Sequence, residues 1–387
     1  MLGRRAQSAF QQFIESEASG GLVLMAAAAI GMAVANSALA GTYTALLHTK
    51  VAGLDVLDWI NDALMTLFFL LVGLEIKREI LVGELDSWPR RALPFIAALG
   101  GMIAPALIFL AINWQTPDTR RGWAIPTATD IAFSLGVLSL FGSRISSSLK
   151  VFLTSLAIID DLGAILIIAV FYASDLSAFA IALAAFIAAV LFGLNWLGVR
   201  RLGAYLSLGA ALWACMLFSG IHATMAGVVL AMAIPLGKPE VESENHDAGI
   251  LYRLEGALAP WVAFLVLPLF GFANAGVSLS GLRPDMPLAP LALGIVLGLF
   301  LGKQIGIMAS IALANRVGMV HLPADASWRE IYGVAILCGV GFTMSLFIGL
   351  LAFDEEQHIA AAKFAVLIGS LLSALLGAAV LLWPRAR

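Results

Sequence analysis

The chain reads as an all-α, polytopic membrane protein of about twelve transmembrane helices, on three observations. Of its 387 residues, 61% are apolar and only 12% are charged, whereas a soluble domain carries roughly 25% charged residues. Mean hydropathy is +0.97. The apolar residues also gather into runs long enough to cross a hydrocarbon core as helices. A net charge of −3 argues against a nucleic-acid partner. The 37 glycines suit close helix packing in lipid. Cys215 and Cys338 each sit inside an apolar run and read as core residues rather than a disulfide or metal site.

Taken in order, the spans fall near 18–37, 56–82, 92–113, 118–140, 147–172, 178–197, 202–218, 220–235, 250–274, 289–314, 329–352 and 358–383. The first follows a polar lead, 1–17, and with Arg4, Arg5 and the stretch Ser37-Ala38-Leu39-Ala40 it imitates a signal peptide. The lead is long for that purpose, so the run reads as a membrane helix that stays. Several connections are very short, which makes neighbouring helices antiparallel. The long polar stretch 237–249, GKPEVESENHDAG, reads as a mobile loop, and the whole of 1–387 as one transmembrane domain. Sixteen of the 22 basic residues, from Arg4 and Arg5 through Lys77, Arg144 and Arg253 to Arg387, fall on one side. That bias puts both termini in the cytoplasm.

Two spans are broken. In 122–137, GWAIPTATDIAFSLGV, Pro126 removes a backbone donor just before Thr127, Thr129 and Asp130. In 335–348, AILCGVGFTMSLFI, Gly339 and Gly341 flank Val340, with Thr343 and Ser345 as polar partners. Unwound backbone at membrane depth survives only where protein or a watery cavity receives it. Paired breaks in corresponding spans point to a transporter site between inverted repeats, although no sequence repeat is visible.

The chemistry gathers on few residues. Asp160 and Asp161 stand side by side in the otherwise uncharged run 151–172, where carboxylates are costly and commonly bind a cation or carry a proton. On a helix they point about 100° apart, and ionising both there is difficult, so they titrate as a coupled pair. A carboxylate poised near working pH holds either a proton or a small cation, which is the simplest basis for exchange. A purely structural pair is the alternative. Asp130 reads first as a cap for the half-helix ends made by the break, with Thr129 a cation ligand through its hydroxyl or backbone. Lys303, the only charge in LGLFLGKQIGIMASIAL, needs partners at that depth. Negative half-helix ends and one of the paired aspartates are the candidates; a Lys303–Asp160 ion pair that opens on ion binding would make the lysine a proton carrier, and a structural lysine is equally open. Glu75, Arg78 and Glu79 share a stretch of span two, and Glu255 starts another span from the same side. They form either a solvated collar or a pH-sensitive funnel. His222 titrates in the relevant range or simply packs.

The blocks WINDALMTLFFLLVGLEIKRE (59–79), GWAIPTATDIAFSLGVLSLFGSR (122–144), LAIIDDLGAI (156–165), SGIHATMAGV, LPLFGFANAGVSL (267–279) and ILCGVGFTMSLFI resemble, in order and over nearly the whole chain, the NhaA-type Na+/H+ antiporters of bacterial inner membranes. The resemblance implies twelve helices with two crossed, unwound ones, spans four and eleven. It implies electrogenic exchange of Na+ or Li+ for protons, switched on as cytoplasmic pH rises. It gives ion binding to Asp161 and Asp160, with Thr129 and Asp130 at the crossing, and matches Lys303 to the family's buried lysine. Glu75, Arg78, Glu79, Glu255 and His222 match positions tied to pH response. No cofactor is implied, and the partners are the ions, the bilayer and a second copy of the chain.

Two departures stand out. The segment TKVAGLDVLDW is shorter than the one that forms a β-hairpin at a dimer contact in the family, which leaves that hairpin open. Gly256 and Ala259 stand where some members have histidines, so a shifted pH profile is expected.

Paired carboxylates releasing two protons for one Na+ make exchange voltage-driven, by alternating access. Two rivals fit less well. An intramembrane aspartyl protease needs its aspartates on separate helices with a GxGD motif, which is absent. A sodium-coupled solute symporter fits the broken helices but wants a roomier site.

Overall fold

The structure, a computed structural model, describes residues 19–141, 145–173, 176–237, 249–278, 288–323 and 325–383. Helices α1 (Ser19–Ala35) and α2 (Ala40–Leu47) are followed by a two-stranded hairpin, β1 (Lys50–Val51) and β2 (Leu54–Asp55). Then come α3 (Val56–Val82), α4 (Trp88–Ile112), a 3-10 segment Pro117–Thr127, α5 (Ile131–Ser139) and α6 (Ser147–Phe171). They continue as α7 (Ala178–Trp196), α8 (Leu202–Leu217), α9 (Met225–Ala233), α10 (Ile250–Ala275) and α11 (Pro290–Arg316). The chain ends with α12 (Trp328–Leu337), α13 (Phe342–Ala352) and α14 (Glu356–Leu382).

Among the described residues, seven helices are long and apolar enough to cross a membrane: α3, α4, α6, α7, α10, α11 and α14. The count reaches nine if the bent pairs α1–α2 (115°) and α12–α13 (42°) each make one span. The chain is a multi-pass membrane protein. A helical element stands at each of the twelve places expected, but several are shorter than a full crossing. The lead 1–17 lies outside the described residues, as does the 237–249 loop apart from its end glycines.

Both breaks appear, in different forms. The first half of span four is a 3-10 segment instead of an α-helix, running from Pro117 to Thr127 with Pro126 inside it. Ala128 is then extended, and α5 restarts with Asp130 as its N-cap. Proline deletes backbone donors, and at 11 residues the segment is long for 3-10 winding, which usually stops after about three or four residues. The second break leaves 338–341 between α12 and α13. α12 opens on a capping box, Ser327 and Glu330 bonding each other's backbone N–H.

The hairpin forms despite the short segment. Lys50 pairs with Asp55 and Val51 with Leu54, and the two-residue turn has φ of 52° at Ala52 and 92° at Gly53. Two positive φ values are the hairpin turn that matches strand twist. Gly53 takes that conformation without strain, whereas Ala52 is held there. Trp59 Nε1 donates to Val51 O at 2.8 Å, tying the hairpin to α3.

The chain clusters into two compact units. One holds the residues up to Gly41, Trp88–Asp161 and those from Gly271 onward; the other holds Thr42–Ser87 and Leu162–Phe270. In the first, α4 packs along α11 and the 3-10 segment, and α14 packs on α12, α13 and the start of α11. Apolar burial does not drive helix pairing in lipid, so close backbone approach must. The α4–α11 seam illustrates it: a Cβ on Gly306 would lie 2.0 Å from Gly100 O, and one on Gly100 would lie 2.3 Å from Gly306 O. In the second unit, α3 packs on α9 and α10, beside the stack α7–α8–α9. Its core holds Leu70, Leu74, Tyr205, Leu212, Leu230 and Leu251.

Candidate functional site

The first unit gathers Thr129, Asp130, Asp160 and Lys303 around the two breaks. α11 carries a π turn, Gly298–Gly302, immediately before Lys303. One inserted residue rotates the helix beyond it, and such turns recur at functional sites. Lys303 Nζ donates to Asp160 Oδ2 at 2.5 Å and to Thr127 O at 2.5 Å. Both charged side chains are 0% exposed. Thr127 ends the 3-10 segment, so the ammonium also meets the negative end of a half-helix. The two kinds of partner expected for Lys303 are both present.

Thr129 Oγ1 stands 2.7 Å from Asp160 Oδ2 and 2.8 Å from Cys338 O. A hydroxyl has one proton, so it donates to one of these at a time. Asp160 Oδ2 thus meets the Lys303 ammonium and competes with Cys338 O for the Thr129 hydroxyl, while its Oδ1 is buried and has no hydrogen-bond partner among the described residues. Asp161 is the next residue of the same helix, 2% exposed, about 100° around the axis from Asp160.

Asp130 is built into the backbone of both broken spans. Its N–H donates to Val340 O at 2.7 Å. Oδ1 accepts from Phe133 N at 2.9 Å, and Oδ2 accepts from Thr343 N at 2.9 Å and Thr343 Oγ1 at 2.6 Å. One carboxylate caps α5 and, from outside, the first turn of α13. A negative group at two helix N-termini is well placed. Ser134 Oγ donates to Leu337 O at 3.1 Å and Ser345 Oγ to Ile125 O at 2.6 Å. The breaks therefore satisfy one another's backbone, which is how unwound chain survives at this depth.

The second unit holds the other candidates. Arg78 Nε donates to Glu255 Oε1 and Oε2 at 3.0 and 3.1 Å, and Nη1 to Glu79 Oε1 at 2.6 Å. Glu79 Oε2 accepts from Glu84 N at 2.8 Å, closing the turn after α3. Glu75, on the same helix, feels the charges of Glu255, Arg78 and Glu79. These four residues form one network, half-buried. Lys77, not singled out from sequence, donates to Met232 O and Ile234 O at 2.7 and 2.5 Å, holding the C-terminal end of α9. His222 precedes α9, with Nε2 bonded to Tyr172 O at 2.8 Å.

Sequence reasoning misses the carbonyls of Thr127 and Cys338, the π turn before Lys303 and the hydroxyl of Ser370 on α14, which accepts from Gly341 N and Phe342 N at the second break. Backbone acceptors leave no mark in residue type.

The family described as "Na+/H+ antiporter 1" matches residues 11–381. A protein of Pseudomonas syringae pv. syringae named "Na(+)/H(+) antiporter NhaA 2" is 59% identical over 96% of this chain and 94% of its own. Proteins named "Na(+)/H(+) antiporter NhaA" from Caulobacter vibrioides and Rhizobium etli are each 56% identical over 97% of this chain, covering 91% and 96% of their own lengths.

Proposed function

The chain belongs to the Na+/H+ antiporter 1 family, and from that membership we propose that it exchanges Na+ or Li+ for protons across a bacterial inner membrane, both termini in the cytoplasm. The observation that carries the reading is the buried Lys303–Asp160 pair, 2.5 Å apart, beside Thr129 and next in sequence to Asp161.

In this reading the Lys303–Asp160 pair shares one proton. An ammonium with a carboxylate, or a neutral amine with a carboxylic acid, holds the same single transferable proton. Asp161 holds a second. One entering Na+ that takes both carboxylates as ligands expels both protons, from Asp161 and from the Lys303–Asp160 unit. The site then differs by one charge between its proton-loaded and Na+-loaded forms, so transport is electrogenic. Alternating access results if the proton-loaded site opens to one side and the Na+-loaded site to the other. Thr129 supplies a hydroxyl to whichever form needs a donor, and Asp130 keeps the crossing of spans four and eleven intact. Twelve spans in two inverted repeats would bring those broken spans together.

Glu75, Arg78, Glu79, Glu255 and His222 form the pH-responsive part in this reading and raise activity as cytoplasmic pH rises. A homodimer through the hairpin is compatible with it.

The test uses protein in liposomes with an internal pH dye and an imposed proton gradient. Adding Na+ should collapse the gradient for wild type and leave it intact for Asp161→Asn. No collapse for wild type at any pH would remove the antiporter reading and favour a solute symporter. A Na+ gradient at zero net flux that does not change with imposed membrane potential would remove the two-for-one stoichiometry.

A further inference from the structure

We propose that Ser370, on α14, is a positioning residue that holds the second break in the form that presents its backbone to Thr129 and Asp130; the inference rests on the exchange reading above. The observation is a cap supplied by a third helix. α13 begins at Phe342 with Gly341 as N-cap, and no side chain of its own caps it. Ser370 Oγ, 2% exposed, accepts from Gly341 N and from Phe342 N at 3.2 Å each.

Those two amides are the hinge of the unwound segment. Cys338 O and Val340 O, just before them, receive Thr129 Oγ1 and Asp130 N. Thr343, just after them, gives both its N–H and its hydroxyl to Asp130. A hydroxyl that fixes residues 341 and 342 therefore fixes acceptors and donors on both sides of the hinge. Through Thr129 the chain of contacts ends on Asp160 Oδ2. Ser370 touches neither carboxylate and acts only through this backbone.

One turn along α14, Ser373 provides an internal comparison. It is also buried, at 0% exposure, and lies against Gly339 of the same segment. Its Oγ has no hydrogen-bond partner among the described residues. Two hydroxyls of one helix thus meet one unwound segment, and only one of them holds it.

Without the Ser370 hydroxyl, two buried amides lose their acceptor, and the segment relaxes to satisfy them elsewhere. The experiment measures Na+-dependent proton movement in proteoliposomes for wild type, Ser370→Ala, Ser370→Thr and Ser373→Ala, with Na+ concentration and pH varied, alongside thermal unfolding of each purified protein. Ser370→Ala should raise the apparent KM for Na+ by about tenfold, the effect of about 1.4 kcal/mol lost at the site, with maximal rate nearly kept. Ser370→Thr, which restores the hydroxyl, should bring KM back to within about threefold of wild type, and Ser373→Ala should match wild type. A Ser370→Ala protein with lowered unfolding temperature but unchanged KM and pH profile would overturn the proposal, leaving Ser370 a stabilising contact only. Equal KM shifts in Ser370→Ala and Ser373→Ala would overturn it too. Absence of Na+-dependent proton movement in wild type would instead sink the exchange reading.

Discussion

Lys303 Nζ stands 2.5 Å from Asp160 Oδ2 with neither side chain reached by solvent, so each is the other's only charged hydrogen-bond partner among the described residues. Removing one member of such a pair strands a buried charge, which typically costs about 3–5 kcal/mol, whereas neutralising both together is far less damaging. Lys303→Met should therefore lower the unfolding temperature of the purified protein strongly. The double variant with Asp160→Asn should recover most of that loss. A double variant no more stable than Lys303→Met would show that the two side chains are not energetically coupled.

Asp130 should be sensitive for a different reason. Its carboxylate accepts from Phe133 N, Thr343 N and Thr343 Oγ1, so Asp130→Ala removes one capping acceptor from each of two helices at once. At about 1 kcal/mol for each lost cap, and more for a buried donor left unpaired, the loss should be about 2–4 kcal/mol. Asp130→Asn keeps an acceptor and should lose less than half of that. Unfolding of both variants in detergent checks the ranking; equal stability of the alanine and asparagine forms would refute the double-cap assignment.

The legibility of each feature in the sequence depends on where its information resides. Apolar runs locate most helix ends to within a few residues, because lipid requires continuous apolar length. Asp160, Asp161 and Lys303 stand out because charge at that depth has few neutral explanations. The kinds of acceptor open to Lys303 are legible, but what selects Asp160 over Asp161 is helix rotation, which the π turn at Gly298–Gly302 alters. The 3-10 winding of Pro117–Thr127 is equally hidden, and only its prolines hint that it is not an ordinary half-helix. The short 48–58 segment leaves the hairpin open on length alone, yet a two-residue turn at Ala52 and Gly53 suffices. Ser370 looks like one more small residue in a packed helix, because its role is to accept from backbone donors that no side chain announces.

Competition between Na+ and protons gives a prediction whose sign is fixed. If Na+ displaces protons from the Asp161 and Lys303–Asp160 units, lowering the pH must raise the apparent KM for Na+ while leaving the rate at saturating Na+ nearly unchanged. Through the range where the sites are protonated, KM should rise about tenfold per pH unit for each proton displaced, so about a hundredfold where both are. Initial rates across a Na+ series at each pH measure the slope. A KM that stays flat while the maximal rate falls would separate proton binding from Na+ binding and place the pH effect elsewhere, in the Arg78–Glu255 network.

The seam between α4 and α11 ties packing to the site. Lys303 lies on α11 one turn before Gly306, where a Cβ would sit 2.0 Å from Gly100 O and 2.9 Å from the Ala104 Cβ. Backbone cannot yield as a flexible side chain does, so Gly306→Ala must push the helices apart. Overpacking of this kind costs about 1–3 kcal/mol, and it moves the ammonium that must reach both Thr127 O and Asp160. Gly306→Ala should therefore lose stability and Na+ affinity together. Gly193, in α7, has nothing within 4 Å of an added Cβ, so Gly193→Ala should be neutral or stabilise by up to about 1 kcal/mol through helix propensity alone. Parallel unfolding and transport measurements on the two variants separate the general effect of a methyl group from its effect at the seam. If Gly306→Ala kept wild-type affinity despite lower stability, Lys303 would be held by its hydrogen bonds rather than by the approach of its helix.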